Sequence, residues 1–235
     1  MRVGFDIGGT FTDVILLADD GRILSSTKVL SLLERVGNDI SDLVTGYDEG
    51  VDGFIHGTTI ASNAVIEDNM ARAGFVATRG FRDDLELRSQ RRPNIFDVNW
   101  QRPRPIIPRA LRVEVPERVR STGAVDRDLD VDAARAVLTE LVDADVEAVA
   151  VCLINSFMNP EHEVAIKELL HEIAPEVFCC ISSELHPEIR EYERASTTAL
   201  NACLAPVVQR YLEHLREALQ HHSKRILIIS PTAES

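Results

Sequence analysis

Residues 2–18 read Arg2-Val3-Gly4-Phe5-Asp6-Ile7-Gly8-Gly9-Thr10-Phe11-Thr12-Asp13-Val14-Ile15-Leu16-Leu17-Ala18, two apolar runs on either side of a glycine turn. Val3 to Ile7 and Val14 to Ala18 have the β-branched and aromatic content of strands, so the stretch predicts an antiparallel hairpin. A plain hairpin turn needs one glycine and one aspartate. Here Asp6 to Asp13 carries two glycines, two threonines and two aspartates. Without a Cβ, Gly8 and Gly9 let the backbone approach a ligand. The turn amides and the Thr10 and Thr12 hydroxyls then suit phosphate oxygens. Asp6, at its strand end, is placed to hold a hydrated Mg²⁺ against those phosphates, and Asp13 can share that role or cap the turn. The plain alternative is a glycine hairpin with Asx-type hydrogen bonding, which has no use for the full set.

Outward from the hairpin, Ile23 to Leu30 reads as a third strand, residues 32–45 as a helix, and Gly53 to His56 as a fourth strand. Thr59 to Asn69 reads as a helix and Gly74 to Thr78 as a fifth strand. The order β-β-β-α-β-α-β is that of a ribonuclease-H-like layer, three meandering strands followed by right-handed crossovers. From Gln90 to Pro108, prolines at 93, 103, 105 and 108 exclude a regular helix and predict an extended connection.

A second α/β segment follows: strand Arg112 to Arg120, helix Val131 to Asp143, strand Ala148 to Ile154, helix Glu161 to Ile173 and strand Val177 to Ser182. Glu193 to His222 reads as one long helix, apolar every fourth residue from Ala199 to Leu219, with Pro206 expected to kink it. Ile226 to Ile229 starts another strand. The fold class is α/β, divided into 1–90, 91–185 and 186–235, the last holding the long helix and the start of a following domain.

Composition narrows the function. The net charge is −13 from 25 Lys and Arg against 38 Asp and Glu, which argues against a nucleic-acid surface. The only basic cluster, Arg88-Ser89-Gln90-Arg91-Arg92, reads as a loop able to hold an anionic substrate. Cys152, Cys179, Cys180 and Cys203 lack CxxC spacing and read as reduced core residues, not a disulfide frame or zinc site. No signal peptide and no membrane-spanning apolar run is seen, so a soluble cytoplasmic protein is expected, with no membrane partner.

A second motif runs from His56 to Glu67, His-Gly-Thr-Thr-Ile-Ala-Ser-Asn-Ala-Val-Ile-Glu, at a strand end and helix start where open α/β sheets take ligands. Thr58 or Thr59 can cap the helix and leave its first amides for an anion; equally, Thr59 can be an ordinary N-cap before a core helix. A histidine before a glycine at a strand end is poorly placed for core packing, and Asn63 can present its amide to the same pocket. His162 in Asn-Pro-Glu-His-Glu reads as a helix-start residue with no second ligand at metal spacing.

With DIGGTFTD, HGTTIASNAVIE, TRGFRDDLELRSQRRPNIFD, NPEHE and EIREYERASTTALNACLAPVVQRYLEHL, the chain resembles the N-terminal region of the hydantoinase A / 5-oxoprolinase family, from Arg2 to about Leu219. That family includes acetone carboxylase subunits and belongs to the actin-like ATPase and sugar-kinase superfamily. The resemblance implies use of ATP with Mg²⁺, a small carbonyl or cyclic amide substrate, and a hydantoinase-B-type subunit or fused second half. It puts Asp6, Gly8, Gly9, Thr10, Phe11 and Thr12 on the first phosphate loop, with Asp6, Thr10 and Thr12 as catalytic candidates and Asp6 as the metal ligand. His56, Gly57, Thr58, Thr59 and Asn63 fall on a second signature. The stretch from Lys28 to Phe54 is shorter than the family's, and the second phosphate loop of longer members is not in this sequence. The leading expectation is ATP-dependent hydrolysis of a hydantoin- or 5-oxoproline-type ring. The alternatives are a non-catalytic remnant or docking domain, a sugar or small-acid kinase, and an acetone-carboxylase-type subunit.

Overall fold

The computed structural model describes residues 1–31, 36–45, 50–90, 94, 96–223 and 225–229. Two compact units divide them: residues 1–70 with 207–235, and residues 71–206. The sequence reading placed its boundaries at 90/91 and 185/186.

In the first unit, β1 (Arg2–Ile7) and β2 (Phe11–Leu17) form the hairpin, with Asp6 opposite Asp13 and Ile7 opposite Thr12. β3 (Ile23–Leu30) extends it antiparallel, while β4 (Gly53–Thr58) runs parallel to β1 on the other side. The last strand, Ile226–Ile229, pairs parallel with β4 and completes the five-stranded sheet. Because side chains alternate across a strand, Val3, Phe5, Ile7, Val14 and Leu16 all point into one core. They meet Val36, Ile40 and Val44 of α1 (Val36–Thr45), and Tyr211, Leu215 and Leu219 from the end of the long helix. Gly37 permits that close approach, since a Cβ there would sit 2.8 Å from Ala218 Cβ. The short helix α2 (Ile60–Ile66) follows β4 and buries Ile60 and Ala64. It is shorter than the expected Thr59 to Asn69.

The second unit is built on β5 (Ala73–Thr78), and here one expectation is corrected. β5 is not in the first sheet: it is an inner strand of a separate parallel sheet, and the fifth place beside β4 belongs to Ile226–Ile229. All six residues of β5 are buried. A strand covered on both faces reads as an unbroken apolar run that fits the interior of any parallel sheet, so only its partners reveal its place. After the short α3 (Asp84–Leu87), β6 (Arg112–Val115) pairs with one edge of β5. The expected strand Arg112 to Arg120 breaks at Pro116, and β7 (Arg118–Val119) turns back against β8 (Val125–Arg127). α4 (Val131–Asp143), capped by Asp130 accepting from the Ala133 amide, leads to β9 (Ala148–Cys152) on the other side of β5. α5 (Glu161–Ile173) and β10 (Phe178–Ile181) complete the order β10-β9-β5-β6. α6 (Ser182–Leu185) is a single turn. α7 (Glu191–Leu219) continues through Pro206, belonging to the second unit up to that residue and to the first from Val207 onward.

Several of the polar groups buried in the second unit are held in networks. Arg194, fully buried, donates to Ser156 Oγ, the Leu153 carbonyl and Glu191, while Glu163 accepts from the Leu153 amide, Ser182 Oγ and the Ser183 amide. Glu117 accepts from Thr78 Oγ1 and stands 2.8 Å from His162 Nδ1. His162 is thus a buried helix-start residue anchored by a carboxylate. Among the described residues, no three His, Cys, Asp or Glu side chains are grouped to hold a metal, and no helix is long and apolar enough to cross a membrane.

Candidate functional site

In the first unit the glycine turn and the start of α2 face each other across a cavity of about 90 Å³, lined by Ile7, Gly8, Gly9, Ser31, Ile60, Asn63, Ala64, Glu67, Asn69 and Val207. The hairpin closes with the Gly8 amide donating to the Phe11 carbonyl at 3.1 Å, and the amides of Gly9 and Thr10 have no acceptor within the turn. Gly9 lines this cavity from the turn side, and a Cβ there would stand 3.8 Å from Glu67 Oε1 and 3.9 Å from Asn63 Nδ2.

The other expected residues fall in three places. Asp6 and Asp13 are exposed and opposite one another, with Lys28 3.2 Å from Asp13. Thr10 and Phe11 are exposed at the turn. Thr12 is fully buried, because alternation along β2 turns it inward, and its hydroxyl lies 3.0 Å from that of Ser31. Its hydroxyl therefore supports the wall of the cavity from behind.

The second signature divides in the same way. The Thr59 hydroxyl donates to the Ile7 carbonyl at 3.0 Å, which ties the start of α2 to the end of β1. Thr58 Oγ1 accepts from the Ile60 amide, and Asn63 Nδ2 reaches back to Thr59 Oγ1 at 3.4 Å. Gly57 lies beside Asp6 in the parallel register of β1 and β4. His56 corrects the expectation that a histidine there packs poorly. It is fully buried, stacked on Phe5 with ring centroids 4.5 Å apart, and hydrogen-bonded to the Tyr211 hydroxyl at 2.8 Å and the Phe5 carbonyl at 3.3 Å. A neutral ring with its proton on Nδ1 satisfies both bonds: Nδ1–H donates to the carbonyl and Nε2 accepts from tyrosine. Burial holds its pKa below the ordinary histidine range, against the Phe5 carbonyl and the Asp6 charge, which raise it.

Ser31, Glu67 and Asn69 line the cavity without having been singled out. Glu67 stood in the second motif, four residues after Asn63, a spacing that puts both on one helical face. Ser31 carried no local signal; its place follows from pairing, through its amide bond to the Thr10 carbonyl. The cysteines are free and core-like, with burial pushing the thiols of Cys152, Cys179 and Cys203 up to about 12 and that of Cys180 to about 11, so none is a thiolate nucleophile at neutral pH.

Comparison with known proteins adds to this geometry. The sequence model of the hydantoinase/oxoprolinase N-terminal region matches residues 2–174. The chain is 33% identical over 231 residues to the caprolactamase subunit alpha of Pseudomonas jessenii, covering 91% of this chain and 32% of that protein. It is 27% identical over 267 residues to the 5-oxoprolinase of Saccharomyces cerevisiae, covering 94% of this chain and 20% of the relative. The crystal structure of ATP-dependent caprolactamase from Pseudomonas jessenii superimposes with a TM-score of 0.83 at 32% identity, over 97% of this chain and 35% of that one. The chain therefore spans between 20% and 35% of the length of these proteins.

Proposed function

The chain belongs to the hydantoinase/oxoprolinase family, and on that premise we propose that it is the N-terminal part of an ATP-dependent hydrolase of cyclic amides. The glycine turn would form one wall of the nucleotide site. The observation that carries this reading is the turn itself: Gly9 leaves open the space facing Asn63 and Glu67, and the Gly9 and Thr10 amides are free in the turn. A cavity of about 90 Å³ has room for a phosphate group and not for a whole nucleotide. That size suits a half-site completed by the part of the longer relatives that this chain does not span. The first sheet, ordered β11 (Ile226–Ile229)-β4-β1-β2-β3, supports a ribonuclease-H-like layer of the actin-like ATPase type.

The chemistry gives ATP a purpose. A lactam carbonyl is a poor electrophile, and transfer of a phosphoryl group from ATP to its oxygen activates the carbon: water adds there, the C–N bond breaks to free the amine and leave an acyl phosphate, and a second water releases phosphate and leaves the carboxylate. Such transfer is mostly positioning and charge neutralisation, which turn amides and a cation supply. Asp6 suits a hydrated Mg²⁺: it is exposed, and Gly57 leaves open the space beside Asp6 Oδ1 that a Cβ would crowd, whereas Asp13 opposite it is already paired with Lys28. One carboxylate with several retained waters is a donor set Mg²⁺ takes beside phosphates. Bound there, the ion would neutralise phosphate charge; the turn's own part is to orient the phosphate through the Gly9 and Thr10 amides. Completion of the active enzyme by a hydantoinase-B-type subunit or a second half belongs to the same proposal.

The test is a titration of Mg-ATP into the purified chain, followed through its backbone amide resonances. Shifts are expected at Gly9, Thr10 and Asn63. Asp6→Ala should keep the fold, since Asp6 is exposed, and lose the Mg²⁺ dependence of those shifts. A turn whose resonances stay still at millimolar nucleotide would overturn the reading.

A further inference from the structure

The second unit carries an open cleft of about 610 Å³ with a charge pattern of its own. Arg79 follows directly on β5 and Pro116 directly on β6, so the cleft lies over the carboxyl ends of two parallel strands, where open α/β sheets take ligands. β8 and the N-cap of α4 complete its lining with Arg127, Asp126, Asp128 and Asp130.

Two of these charges are already engaged. Asp126 pairs with Arg120, and Asp130 accepts from the Ala133 amide. Arg79, Arg127 and Asp128 have no ion pair or side-chain hydrogen bond among the described residues. The cleft thus presents two unengaged guanidinium groups and one unengaged carboxylate. A guanidinium fork matches a carboxylate with two parallel hydrogen bonds, and an aspartate matches an ammonium. The complementary ligand carries both groups: it is an amino acid zwitterion.

Resting on the function proposed above, we infer that this cleft binds the ring-opened product of lactam hydrolysis, an ω-amino acid or a dicarboxylic amino acid. Water adds its oxygen to the acyl carbon and the C–N bond breaks. The lactam plus one water then becomes one carboxylate and one ammonium on the same chain. A lactam with no other ionised group lacks both charges and the lactam of glutamate lacks the ammonium, so the cleft selects product over substrate. Arg79 and Arg127 hold the carboxylate end and Asp128 the ammonium end.

The test is calorimetry on the whole chain with 6-aminohexanoate and glutamate, compared with caprolactam, hexanoate and hexylammonium. At least one of the two amino acids is expected to bind more tightly than every singly charged or neutral analogue. Arg79→Ala and Arg127→Ala should each weaken that amino acid about tenfold or more. Asp128→Asn should bring its affinity down to that of hexanoate. All three side chains are exposed, and an unchanged melting temperature checks that each variant is folded. Hexanoate binding as well as either amino acid, no binding of either amino acid, or affinity unmoved by the arginine changes would each overturn the inference. Loss of amide shifts with Mg-ATP in the first unit is a separate readout, so failure of the nucleotide reading and failure of the cleft are told apart.

Discussion

Gly57 and Asp6 are neighbours across β4 and β1, and a Cβ at Gly57 would come within 3.2 Å of Asp6 Oδ1. The glycine is therefore a space for the carboxylate. Its φ is not in the left-handed region, so alanine suits the backbone there. Gly57→Ala should leave the melting temperature within a few degrees of the parent, since the backbone tolerates it. The Asp6 carboxylate would be displaced, and Mg-ATP affinity should fall about tenfold. Isothermal titration beside a thermal melt separates the two effects, and unchanged affinity would remove Asp6 from the site.

The His56–Tyr211 bond ties the first sheet to the end of α7. Tyr211→Phe keeps the ring in the core and leaves His56 Nε2 without its donor, a loss of about 1–3 kcal/mol for a buried polar atom. Urea denaturation measures it; a change within error would mean the hydroxyl is dispensable.

His56 also sets a pH dependence. Its folded pKa lies below its unfolded value near 6.5, so the unfolded chain binds the proton first. The stabilisation is complete above about 6.5 and is lost as pH falls through that value toward the folded pKa. The parent melt should drop between pH 7 and pH 5, and His56→Phe should flatten that drop. An equally steep slope in the variant would assign the titration to another group.

Asp84 has the opposite sign. Burial first, then the charges of Glu191 and Asp83, raise its carboxyl from 3.8 to about 6. The folded state holds the proton more tightly, so its contribution is favourable below about 4 and is lost as pH rises through about 6. Asp84→Asn should raise stability by about 1 kcal/mol at pH 7.5 after allowance for solvent screening, a shift of about 2–4 °C. At pH 4 the two proteins should melt together. A melt lowered at pH 7.5 would show that the charged form has a partner.

Arg194 is a brace whose loss should be felt by the whole second unit. Arg194→Ala strips Ser156, the Leu153 carbonyl and Glu191 of one shared donor inside the core. Breaking such a buried network costs about 3–5 kcal/mol. Hydrogen exchange should then rise across β9 and the first half of α7, with the amides of β1 and β2 unchanged. Uniform exchange across both sheets would show that the two units unfold as one.

How much of this was legible in the chain differs by residue. α4, α5 and β3 match their expected spans to the residue: the two helices each carry an apolar face, with Asp130 capping α4, and β3 follows the Asp19-Asp20-Gly21 turn. The hairpin and its glycine turn were equally plain. That Gly9 and Asn63 line one cavity could be expected from residue type and spacing. Glu67 was within reach of the same reasoning through its helical spacing from Asn63.

Local pattern by itself determined most of the longer elements, the α/β class and the glycine turn, because backbone preference and side-chain alternation act over a few residues. Only the tertiary structure decided which sheet β5 joins, that Ile226–Ile229 stands fifth beside β4, that His56 is a core residue, and that Arg79 and Arg127 share a cleft. Each of these depends on partners dozens of residues or more away in sequence. An apolar strand carries no mark of its neighbour, and a histidine's burial depends on the aromatic ring that happens to cover it.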